Sequence, residues 1–204
     1  MRKLAHVLFF TIITILSVNH VNLASATEET QNDLGKSIDE LKKVLEHEPS
    51  NVDVHYYLGL TYYDNGMVSE AIDELNKALE LDQNYVNAYF HLGTIHTSQG
   101  NIDSAIEIFK KLLQVDATNA RAEYNLGFLY NEKGLIGDAI AAYKKAIQIK
   151  PDYYQSLNNL GIIYFNKGLL DNAIAIHTKA IEVNADYAES YYIPWNYLSR
   201  TRST

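Results

Sequence analysis

Two glycine columns, each repeating every 34 residues, constrain this chain more than any other feature. Gly59, Gly93, Gly127 and Gly161 form one column; Gly66, Gly100, Gly134 and Gly168 form the other. Eight of the ten glycines therefore belong to a single period. A fixed step of this length marks stacked helix–turn–helix units, none of which can bury its apolar face alone. Arrays of this kind present extended surfaces, so binding is expected of the chain rather than catalysis in a cleft.

Further columns keep the same step. Leu58, Leu92, Leu126 and Leu160 precede the first glycine of each unit, and Tyr62, His96, Tyr130 and Tyr164 follow it. Ala71, Ala105, Ala139 and Ala173 form a small-residue column, and Lys77, Lys111, Lys145 and Lys179 a basic one. Each unit reads as two amphipathic helices, with apolar residues three and four apart, as in Ile140, Tyr143, Ala146 and Ile147. Ser50, Asn84, Thr118, Asp152 and Asp186 recur just ahead of the first helices and are expected to cap them. The column from Gly66 to Gly168 is expected to end those helices in the left-handed conformation. The other glycines fall inside helices, at a cost of roughly 1 kcal/mol each. That cost is reasonable where two helices come too close for a side chain.

Taken together, the Leu-Gly pair, the aromatic column, the small column and the prolines at Pro49 and Pro151 resemble the tetratricopeptide repeat (TPR) family. The resemblance covers Val52 to Tyr187 as four units, 52–85, 86–119, 120–153 and 154–187. It implies an all-α fold, a right-handed TPR superhelix (α-solenoid) of antiparallel helix pairs. Two columns depart from the family pattern. Gln83, Ala117 and Ala185 replace the proline, and the bulky residue early in each first helix is His55, Tyr89, Glu123 or Leu157.

The ends read differently. Arg2 and Lys3, an apolar stretch from Leu4 to Val18, and Ala24-Ser25-Ala26 lead to the expectation that residues 1–26 are a signal peptide. The apolar run is shorter than the ~20 residues that span a bilayer, which favours a cleaved leader; an uncleaved anchor is the alternative. Both place the repeats outside, so the chain is expected to be exported, with the periplasm preferred. Residues 27–51 read as an N-terminal capping helix with Leu34, Ile38, Leu41 and Leu45 on one stripe. Residues 188–204 read as a partial fifth unit or C-terminal tail, broken at Ile193-Pro194-Trp195. Its tyrosines and Trp195 either cover the last core face or leave a patch for self-association.

In the TPR family the first helices line a concave groove. Carried over by slot, that implies a ligand-binding groove of Tyr56, Tyr57, Phe90, His91, Arg121, Tyr124, Asn125, Phe128, Asn158 and Asn159. Asp53, Asn87, Arg121 and Gln155 form its rim. Rings give flat apolar contact at low entropic cost, and Asn125 and Asn159 can bond a peptide backbone through donor and acceptor alike. The asparagines resemble the ladder in the TPR superhelix of O-linked N-acetylglucosamine transferase, here confined to the last two units. The carboxylate clamp of TPR co-chaperones is absent, because its slots hold Tyr56, Leu60, His91, Tyr124 and Phe128.

Charge and composition exclude other classes. Loss of Arg2 and Lys3 with the leader takes the formal net charge from −8 to −10, and no basic stripe suits nucleic acid. Cysteine is absent, which removes disulfides, thiolate metal sites and a cysteine nucleophile. The histidines fall in different columns with no metal-binding spacing, and no serine elbow or phosphate loop occurs. No catalytic residues, metal or cofactor are expected. The expected partner is an extended segment of another protein, with no nucleic acid and no membrane contact beyond the leader. A glycan-binding accessory subunit and a self-assembling structural protein are the alternatives.

Overall fold

The computed structural model describes residues 28–184, so the proposed leader and the tail from 188 onward lie outside the described residues. The described chain is helical, and the helices follow the columns. In order they are α1 (Glu28–His47), α2 (Val52–Asp64), α3 (Val68–Leu81), α4 (Val86–Ser98) and α5 (Ile102–Val115). Then come α6 (Ala120–Glu132), α7 (Ile136–Ile149), α8 (Tyr154–Asn166) and α9 (Leu170–Val183). The chain divides into two compact units, one ending at Ile95 and the other beginning at His96.

In the first unit α2 packs between α1 and α3. Leu41 of α1, Val54 and Leu58 of α2, and Ala71, Leu75 and Ala78 of α3 are buried. In the second unit α6 touches α5 and α7, and α8 touches α7 and α9. Ala139 and Tyr143 of α7 join Leu160, Ile163 and Tyr164 of α8 and Ala173 of α9 in one core cluster.

The two glycine columns do the two different jobs expected of them. Gly66, Gly100, Gly134 and Gly168 have φ of +75°, +72°, +72° and +73°, and no atom lies within 4 Å of where a Cβ would stand. In each turn the residue after the glycine donates its N–H to the carbonyl of the aromatic column: Met67 to Tyr62, Asn101 to His96, Leu135 to Tyr130 and Leu169 to Tyr164, at 2.8–2.9 Å. This closes the helix end and fixes where the second helix departs. The other column sits where paired helices meet. A Cβ on Gly59 would stand 2.9 Å from Leu75 Cγ and 3.1 Å from the Ala71 carbonyl oxygen; one on Gly127 would stand 2.7 Å from the Tyr143 ring. At Gly161 the obstacle is the ring of His177.

The caps fall one residue later than the sequence suggests. Asn51 accepts from Val54 N–H at 3.2 Å and Asn119 from Ala122 N–H at 3.0 Å, each with extended backbone. Asn84 and Thr118 belong to the preceding turn instead, where their N–H groups donate to the Oδ1 of Asp82 and Asp116. The aspartates shape the turn and leave the capping to the next side chain.

The two departures from the bulky-residue column carry their own partners. His55 is buried between two acceptors, Glu74 Oε2 at 2.6 Å from Nδ1 and the Pro49 carbonyl at 2.9 Å from Nε2. Lys77 donates to the other oxygen of Glu74 at 2.8 Å. Glu123 is 5% exposed and pairs with Lys145 at 2.7 Å. Within each compact unit neighbouring helices are also linked by cations over rings: Lys42 of α1 stands 5.6 Å from the Tyr62 ring of α2, and Lys110 of α5 and Lys144 of α7 each 5.9 Å from the rings of Tyr130 and Tyr164 on α6 and α8.

Two outcomes test these contacts. Gly127→Ala forces the Tyr143 ring aside and should lower stability by about 1–3 kcal/mol despite the better helix propensity of alanine. Gly137→Ala, with open space around it, should not; urea unfolding of both distinguishes them. The second concerns His177, which burial pushes below its ordinary pKa, with the nearby Gly161 backbone offsetting only part of that cost. The folded state therefore binds this proton less readily than the unfolded chain does. Its stabilising contribution is complete above about pH 6.5 and shrinks as the pH falls towards the depressed folded value. His177→Phe, which installs the ring that Phe109 already supplies in its own unit, should flatten that part of the acid limb in thermal melts at stepped pH.

Candidate functional site

The groove residues named from the sequence lie on α2, α4, α6 and α8, the first helices of their pairs. They form two groups, one in each compact unit. In the first unit Tyr56 is the hub. Its ring centroid lies 5.0 Å from Tyr57, 5.2 Å from Tyr85 and 5.7 Å from His91, and His91 is 5.7 Å from Phe90. Tyr56 itself is only 7% exposed, so Tyr57, Phe90 and His91, all half-buried, form the accessible part. The exposed rim residue Asp53 accepts a 2.6 Å hydrogen bond from the Tyr85 hydroxyl. Burial, and then that bond, hold the Tyr85 phenol far above its ordinary pKa; burial does the same to Tyr57, with Asp53 adding to it.

In the second unit Tyr124 is the hub, 5.4 Å from Tyr153 and 6.0 Å from Tyr143. Asn159 donates to the Tyr143 hydroxyl at 3.2 Å, and Asn125 donates back to the Arg121 carbonyl at 2.8 Å. Both amides are thereby held in fixed orientations, each with its carbonyl oxygen uncommitted by these two bonds. Burial raises the Tyr143 phenol, with Asn159 opposing it. Phe128 is 38% exposed and Arg121 is exposed. Asn158 is 3% exposed and faces inward, and its Nδ2 has no partner among the described residues.

Tyr85 and Tyr153 were not among the residues the sequence pointed to. The signal was available in the cap column, which reads Asn51, Tyr85, Asn119, Tyr153. Where it holds asparagine the side chain caps the helix; where it holds tyrosine the tilted ring packs against the hub of its own unit. Two members of the lysine column belong to the framework, since Lys77 and Lys145 are tied to the buried carboxylates of Glu74 and Glu123.

Among the described residues no group of three or more His, Cys, Asp or Glu is placed to hold a metal ion, and no helix is long and apolar enough to cross a membrane.

A family model described as "TPR repeat" matches residues 30–66, 61–97, 93–134 and 129–168, and one described as "Tetratricopeptide repeat" matches 154–187. The chain belongs to the tetratricopeptide repeat family. Its fold is correspondingly an all-α solenoid of helix pairs. Among solved structures it is similar to MamA, at 34% identity and a TM-score of 0.69, covering 79% of this chain and 95% of that one. A second MamA structure matches at 29% identity and a TM-score of 0.70, covering 95% and 100%. YrrB, described as a TPR protein with an unusual peptide-binding site, shares the fold at 19% identity and a TM-score of 0.63, covering 86% and 87%. Comparison with curated protein sequences gives no match.

Lys145→Ala leaves the Glu123 carboxylate buried without its cation. Because the lysine side chain is 54% exposed, the expected loss is about 2 kcal/mol, below that of a wholly buried pair. Urea unfolding measures it, and Lys145→Arg should restore most of it.

Proposed function

We propose that this TPR protein is a non-catalytic adaptor of the cell envelope that binds an extended segment of another protein on the first helices of its repeats. The observation that carries this reading is the grouping of rings and oriented amides on those helices. Tyr57, Phe90 and His91 do this in one unit, and Tyr124, Asn125 and Phe128 in the other. An extended peptide exposes backbone donors and acceptors at every residue. Amides fixed by Tyr143 and Arg121 meet them at little entropic cost, while the rings take up side chains. Export rests on the leader-like residues 1–26, and the periplasm is the compartment proposed. The four repeats of residues 52–187 are proposed as the binding domain, with 27–51 as its N-terminal cap.

The test selects peptides from a random library against the full chain and measures their affinity by calorimetry. Asn125→Ala with Phe128→Ala should weaken the selected peptides about tenfold or more while leaving helicity by circular dichroism intact. Unchanged affinity in a helical double variant would remove these residues from the binding face. Selection of glycans but no peptides from a parallel screen of cell-wall fragments would favour a sugar-binding role.

A further inference from the structure

The cap column alternates, so the true structural period around the rings is two repeats rather than one. Tyr56 and Tyr124 occupy equivalent positions two steps apart, as do Tyr85 and Tyr153. Each compact unit thus contains one copy of the same arrangement, a hub tyrosine packed at a tilt against the tyrosine that precedes the next first helix, at 5.2 Å in one and 5.4 Å in the other. The two copies share their scaffold and differ in what surrounds it.

The difference is a reversal of charge at both flanking positions. Asp53 in the first unit corresponds to Arg121 in the second, and Asp82 corresponds to Lys150. Asp53 accepts from the Tyr85 hydroxyl, whereas the Lys150 ammonium stands 5.5 Å from the Tyr153 ring centroid. The paired tyrosines register the reversal. Burial raises both phenols; Asp53 pushes Tyr85 further the same way, while Arg121 pulls Tyr153 back. The remaining slots change in step. Tyr57 and His91 of the first unit become Asn125 and Asn159 in the second, while Phe90 is replaced by the enclosed Asn158. Ring faces beside a carboxylate attract a cation, and a guanidinium and an ammonium beside oriented amides attract a carboxylate.

We infer that the two units are duplicated peptide-binding sites of opposite polarity, the first taking a lysine or arginine side chain and the second an aspartate or glutamate side chain of the bound polypeptide. This rests on the peptide-binding reading above and adds to it the chemistry of what each unit accepts. An acidic protein would on net charge alone attract basic peptides everywhere, so carboxylate recognition by the second unit is the more demanding part of the inference.

The experiment uses two short peptides alike except that one carries lysines where the other carries glutamates, titrated into the full chain and followed by residue-resolved amide shifts. The lysine peptide should perturb amides around Tyr56 and Tyr85, and the glutamate peptide those around Tyr124 and Tyr153. Asp53→Asn with Asp82→Asn preserves the acceptors of the Tyr85 bond and of the turn. It should weaken the lysine peptide about tenfold and leave the glutamate peptide unchanged. Arg121→Gln with Lys150→Gln should do the reverse. If both double variants shift both peptides equally, or neither shifts either, the opposite polarity is wrong. If neither charged peptide binds while library-selected peptides still depend on Asn125 and Phe128, the polarity inference fails alone. If those fail too, the peptide-binding reading falls with it.

Discussion

The packing of the described helix pairs rests on how closely their two helices approach. In three hairpins that approach is set at one point, where Gly59, Gly127 or Gly161 faces a side chain of the second helix with no room for a methyl group. The small column supports it from the other side, with Ala71 and Ala139 fully buried and Ala173 nearly so. Intrinsic propensity disfavours glycine in a helix, so packing overrides it here. Once the pair is drawn together, the first helix is fixed in rotation, and the rings and amides on its remaining surface are fixed with it.

The residue opposite the glycine varies, reading Leu75, Tyr143 and His177 in the three hairpins. The variation reaches the binding face. Tyr143 spans the hairpin, so its hydroxyl accepts from Asn159 on α8 and its ring lies beside Tyr124 on α6. A framework position thus orients two candidate contacts in the second unit, whereas Leu75 can do neither in the first. There Asp53 and Tyr85 supply the orientation instead.

The fold was legible because its signals are redundant. Helix periodicity, left-handed glycines and the leucine and alanine columns all repeat four times and agree, so the helix pairs follow from the sequence. Cap positions are one residue off the sequence expectation, because Ser50 and Thr118 are good caps by type. The aspartate that claims Thr118 for the turn acts through geometry invisible in a column. The site was legible in part. The step identifies which residues share a slot, but which of them stay accessible depends on the neighbouring helices, and so Tyr56 and Asn158 are largely enclosed. Tyr85 and Tyr153 are concealed in the sequence for a different reason: they stand in a column whose other members, Asn51 and Asn119, do something else.

The four turn glycines stand in open surroundings, with nothing near enough to reward or punish a side chain except the backbone itself. Mutational drift at these codons is therefore governed by conformation alone. Any single-base missense change installs an L residue with a β carbon in left-handed backbone, at a cost of roughly 1–2 kcal/mol for most side chains and less for aspartate. The turns share no partners, so such losses accumulate additively rather than compensating one another. An array of this length has a small, countable tolerance for them.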